Sequence, residues 1–270
     1  MERLDAVLPI RDIFSRVILN CCGRSALETE VLTGEDVVGR VSVPGNGRED
    51  PAVRADAEYI NTVIAGELTG ENIFDQERID GILSKFARRN ESLFCVSAAA
   101  ASAAAAALKV PLYRYLGGMQ AMHLPMPEIR MADNVVIMPP DGRPLREQLR
   151  LCREACGVAG INRRGLNPEE RPADDQPDEK GETILRIRIG QTATLTEMSG
   201  RIRKAQKEGI TVVFCSSEGE TADTLAADLA VAFGADRIDA GPVCHMENVE
   251  KYNRLLRISE KLEMQLTEEK

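Results

Sequence analysis

The feature that leaves fewest folds open is the alternation in the last third of the chain. Apolar runs of strand length, ILRIRI (Ile184 to Ile189), TVVFC (Thr211 to Cys215) and RIDA (Arg237 to Ala240), are each followed by a helical pattern: Leu195 to Lys207, Thr221 to Phe233, and Asn248 to about Leu266. Strands joined through helices lie parallel in one sheet, with right-handed crossovers. A further strand, VVIMP (Val135 to Pro139), and a helix from about Pro144 to Cys156 precede them. With 4% aromatic residues and no tryptophan, the core must be built from Ala, Val, Leu, Ile and Met, which suits helices layered on strands.

The first part of the chain is patterned differently. From Val17 to Val43 short β-branched and apolar runs are separated by Cys-Gly and Thr-Gly-Glu-Asp breaks, which predicts a three-stranded antiparallel meander. Helical spacing follows, through Ile60, Val63, Ile64 and Leu68, then Gln76 to Phe86, then Val96 to Leu108. The alanine-rich run Cys95 to Leu108 is shorter than the roughly 20 residues a spanning helix needs, so it is expected to be a buried helix. The expected organisation is an α+β domain over 1–124 and an α/β domain over 125–270. Within the latter, Gly157 to Glu182 has almost no apolar periodicity and much Pro, Gly and charge, the composition of a mobile, protease-sensitive linker.

Thirty-four basic against 43 acidic residues give a net charge of −9, which disfavours nucleic acid and anionic membranes as partners. The N-terminus carries early charges and no apolar h-region, so a cytoplasmic location is expected. Seven cysteines without a framework spacing fit thiols kept reduced.

Several stretches resemble the enolase family in order and wording. SRVILNCCGRSALETEV (Ser15 to Val31) is similar to the family's AREILDSRGNPTVEVEV, and INTVIAGELTGENIFDQERID (Ile60 to Asp80) to its next helices. VPLYRYLGG, GETADTLAADLAVA and KYNRLLRI follow in the family's order. The resemblance implies an N-terminal α+β domain and a barrel with its site at the C-terminal strand ends. A (β/α)8 barrel typically needs about 250 residues, far more than remain after Pro125. The expectation is therefore a truncated, enolase-type TIM-like partial barrel of about four or five strands, an open sheet whose edges need cover.

Position by position, the residues that the family's chemistry needs are replaced. Enolase removes a weakly acidic proton beside a carboxylate, with two magnesium ions and a lysine stabilising the dianion. The region of the metal-binding carboxylates, including the family's DEGGFAP motif, is taken by the loop Gly157 to Glu182. Arg188 occupies the slot of the base lysine, and a guanidinium cannot abstract a proton at ordinary pH. Ser216, Ser217 and Glu218 stand in the substrate-contact slots of S-H-R-S, and Asp239 replaces the lysine of I-K-T-G. Met131 stands for a substrate histidine, and the mobile loop reads Gly45-Asn-Gly-Arg-Glu-Asp50 without its metal-reaching serine.

Asp133, Glu218 and Asp239 are the candidates for a new carboxylate metal set, and Cys215, Cys244 and His245 a weaker one for zinc. The run Gly219 to Asp223 is expected to start a helix, capped by Thr221 or Ser217.

The leading reading is an enolase-like pseudoenzyme kept for binding or assembly, with no cofactor expected and no small-molecule ligand identified. The alternative is an active enolase, converting 2-phosphoglycerate to phosphoenolpyruvate with magnesium in glycolysis, or another magnesium-dependent lyase. A remnant without selected function is the third. The resemblance also implies a homodimer in which Arg16 of one subunit pairs with Glu260 of the other.

Overall fold

The computed structural model describes residues 7–34, 37–44, 50–130, 136–137, 142–158, 183–217, 219–241, 243 and 245–268. The chain divides into two compact units, Met1–Leu116 with Ile189–Gly200, and Gly117–Arg188 with Arg201–Lys270.

In the first unit β1 (Ile10–Leu19), β2 (Ser25–Thr33) and β3 (Val38–Val43) form the expected antiparallel meander in the order β1-β2-β3. Its buried side is covered by α4 (Asn90–Ala107), whose run of alanines lets backbone approach backbone. The fit is tightest at Gly39 of β3, where a Cβ would stand 2.1 Å from the backbone nitrogen of Ala103. Alanine in α4 therefore does two jobs: it is the best helix former, and it is small enough for this contact.

α1 (Asp50–Tyr59) runs through a π-helical turn, Ile60–Ile64, into the short α2 (Ala65–Leu68). The turn carries Asn61 against the outer edge of β1. There its Oδ1 accepts from Ser15 N at 2.6 Å and its Nδ2 donates to Ser15 O at 2.9 Å. One side-chain amide thus takes the part of a missing neighbouring strand.

α3 (Gln76–Leu83) supplies Asp80, 3% exposed. Its carboxylate accepts from Gln76 Nε2, Ser97 Oγ, Thr196 N and Thr196 Oγ1 at 2.9, 2.6, 2.9 and 2.6 Å. Ser97 Oγ in turn accepts from Leu195 N at 3.0 Å. The start of α7 (Leu195–Lys207) is thus capped by side chains distant in sequence. α5 (Leu112–Gly117) follows α4.

In the second unit β4 (Met126–Pro127), β7 (Ile184–Ile187), β8 (Thr211–Cys215) and β9 (Arg237–Asp239) form a parallel sheet in the order β4-β9-β8-β7. α8 (Leu225–Ala232), α9 (Met246–Glu268) and α6 (Leu145–Val158) complete this unit. An antiparallel meander with helices, followed by a parallel sheet with helices, is the α+β then partial α/β architecture expected.

The fourth parallel strand is a correction. VVIMP does not join this sheet: Val136–Ile137 is β6, paired antiparallel with β5 (Ile129–Arg130), and Met126–Pro127 takes the parallel edge beside β9. A two-residue strand has no period to read, and its hydrogen bonds to β9 alone define it. The expected linker lies outside the described residues, apart from its first two positions, which end α6. Among the described residues no helix is long and apolar enough to cross a membrane.

Candidate functional site at the strand ends

Side chains along a strand alternate between faces, so Ile184 and Arg186 of β7 share one face. The registers Arg186↔Val213, Val213↔Arg237 and Cys215↔Asp239 carry that face across to β8 and β9. The opposite set, Leu185, Ile187, Val212, Phe214 and Ile238, is buried and apolar. One side of the sheet is thus a hydrophobic layer, and the other carries a row of charge.

That row centres on Glu128, just past β4 and 1% exposed. Its Oε1 accepts from Arg186 Nη1 and Nη2 at 3.2 and 3.1 Å, and its Oε2 lies 3.4 Å from Arg237 Nη1. Arg186, 6% exposed, also reaches to 3.7 Å from Cys215 Sγ. Burial pushes the Cys215 thiol up to about 11; Asp239 adds to the shift, and Arg186 and Arg188 oppose it. At neutral pH Cys215 is therefore a thiol, not a nucleophilic thiolate.

The loop after β8 is held from within. Ser216 N donates to Asp239 O at 2.7 Å, and Ser217 N to Glu220 Oε1 at 2.6 Å. Glu220 Oε2 lies 3.0 Å from Lys251 Nζ, and Lys251, 1% exposed, also donates to Glu247 O and Thr221 O at 2.9 and 3.3 Å. All three ammonium donors are used. Arg254 forks onto Asp228 at 2.8 and 2.6 Å, fastening α9 to α8.

The capping expectation is corrected here. α8 begins at Leu225 after Thr224, whose side chain makes no cap. Asp223 Oδ1 takes the Leu225 N–H at 2.8 Å, while Glu220 is committed to Lys251 and Ser217.

Of the expected site residues, Arg188 is half-buried one position past β7, Ser216 and Ser217 are buried past β8, and Asp239 ends β9. These do converge on the C-terminal ends of adjacent strands. Asp133, Glu218, Met131 and Cys244 lie outside the described residues. Among the described residues no group of three or more His, Cys, Asp or Glu could hold a metal ion. The described part of this face does not fit a magnesium cage: Glu128 is held by two arginines, and Asp239 lies between strands that carry Arg186 and Arg237.

Away from the sheet, Arg16 donates to Glu28 at 2.7 Å and to Glu30 at 3.1 and 2.7 Å within its own meander. Glu260, exposed on α9, meets Arg146 at 3.3 Å.

Glu128, Arg186, Arg237 and Lys251 are the site residues that sequence reasoning missed. A signal existed in ILRIRI, where two arginines two apart interrupt an apolar strand and so must share a face. Nothing local marked Glu128 as their partner.

A parallel α/β sheet with polar residues gathered at its C-terminal strand ends defines a barrel-like α/β class of protein. Within it, residues 174–267 match the family model of the enolase C-terminal TIM barrel domain. The match spans β7 to nearly the end of α9, about a third of the chain, and relates this segment to the enolase superfamily.

Proposed function

We propose that the chain is an enolase-like protein without enolase catalysis, which acts through binding or assembly. One observation carries this reading: the strand that should present a basic lysine presents Arg186, buried and committed to Glu128, followed by Arg188. Neither guanidinium can take a proton from a carbon acid, and the carboxylate beside them is already neutralised. The cytoplasmic location and the homodimer belong to the same proposal, supported by the reduced-thiol composition and by the family resemblance respectively.

The test is magnesium-dependent dehydration of 2-phosphoglycerate by the full chain, followed through the ultraviolet absorbance of the enol product. No turnover is expected, either from the chain itself or from Arg186→Lys and Arg188→Lys made singly, because a base alone does not stabilise the dianion. Turnover abolished by a chelator would establish the active-lyase reading instead.

A further inference from the structure

The turn between β1 and β2 carries a feature that the enolase reading does not use. Cys21 and Cys22 are adjacent and exposed, and their sulfurs stand 3.8 Å apart. Cys95, Cys152 and Cys215, by contrast, are buried. The turn is tightly built. Asn20 N donates to Arg24 O at 2.8 Å and Gly23 N to Asn20 O at 3.0 Å. Asn20 Oδ1 accepts from both Cys22 N and Arg24 N at 2.9 Å. Gly23 supplies the left-handed backbone that closes the turn, with φ +70°. Where the family sequence has Ser-Arg, this chain has Cys-Cys, so the pair is peculiar to this chain.

Two chemistries are open to such a pair, and geometry separates them. A disulfide joins residues whose Cα atoms are about 4.4–6.8 Å apart, but neighbours across a trans peptide are fixed at about 3.8 Å. Direct S–S bonding would therefore strain the turn, and the product would be easily reduced. Chelation makes no such demand. Two thiolates at about 2.3 Å from a tetrahedral zinc ion lie about 3.8 Å from each other, the separation already present. A preformed bite of this kind loses little ordering entropy on binding.

We propose that Cys21 and Cys22 form a surface two-thiolate site for a soft divalent cation of zinc's size. Binding releases one proton from each thiol and forms two metal–sulfur bonds. No third ligand stands beside the pair among the described residues, so the remaining coordination positions face outward, to water or to an external thiol.

The experiment is a zinc titration of the reduced full chain against a chromogenic chelator, with proton release measured in parallel. Thiolate-to-metal charge-transfer absorbance of the cadmium form reports the number of sulfurs bound. One ion per chain, about two protons released and a two-sulfur spectrum are expected. Cys21→Ser and Cys22→Ser should each weaken binding about tenfold or more, at least the loss that removing an outer-shell partner brings. His245→Ala should leave binding unchanged. The turn is exposed, so circular dichroism of the serine variants should match the parent. Absence of binding by the parent chain, or stoichiometric binding retained by the Cys21→Ser/Cys22→Ser double variant, would overturn the proposal.

Discussion

Glu128 sits between Arg186 and Arg237 with almost no access to water, and its energetics follow from that position. Forming such a pair contributes little net stability, because both ions must first be desolvated; breaking it leaves charge uncompensated. Glu128→Gln is accordingly expected to lower unfolding stability by about 3–5 kcal/mol, read as a shift of the urea midpoint at constant slope. Replacing the pair together, Glu128→Leu with Arg186→Met, should recover much of that loss, since no buried charge is then orphaned on β7. A Glu128→Gln variant as stable as the parent would mean that the arginines find solvent after all. The Cys215 thiol adds a pH dependence at the same face. With its pKa raised to about 11, it favours the folded state below its ordinary value near 9 and loses that contribution as pH rises through 11.

At the scale of the element, the contact of α4 with β3 is the most exacting. Gly39 is chosen for space and not for backbone freedom: a methyl group there would overlap the Ala99 carbonyl at 2.3 Å and the Ala103 nitrogen. Because both are helix backbone, no rotamer change relieves the clash. Gly39→Ala should cost at least the 1–3 kcal/mol typical of overpacking, about 3 kcal/mol here, measured by thermal or urea unfolding. Gly66, in α2 with open space around it, should accept alanine without loss. Equal effects at the two positions would show that α4 can shift away from the sheet. The start of α7 has a similar character, since Asp80 and Ser97 and not its own sequence satisfy its first N–H groups.

For the whole molecule, the open question is assembly. The proposed homodimer asks Arg16 to meet Glu260 of another copy, yet within one chain Arg16 already forks between Glu28 and Glu30, and Glu260 faces Arg146. A third carboxylate at Arg16 would gain less than the first two, because its charge is already matched. The dimer should therefore depend on apolar contact more than on this pair, and Glu260→Gln should weaken it less than tenfold in sedimentation equilibrium. A monomer at micromolar concentration would end the proposal. Dissociation by Glu260→Gln would instead make the pair its main support.

The sequence by itself determined which segments are helices and strands, because hydrophobic period and turn residues are near-neighbour properties. Thr211–Cys215 and Leu195–Lys207 have the same bounds in the sequence reading and in the structure, and the meander of β1, β2 and β3 was legible from its breaks. The sequence also showed Arg188, Ser216, Ser217 and Asp239 at strand ends, since their neighbours match a known wording. Tertiary structure alone decided that Met126–Pro127, not VVIMP, completes the parallel sheet, and that Glu128 is shared by Arg186 and Arg237. It also decided that Asp80 caps a helix 116 residues away. A buried charge is tolerated only when a partner is brought to it, and partners so distant in sequence meet only once the chain has folded.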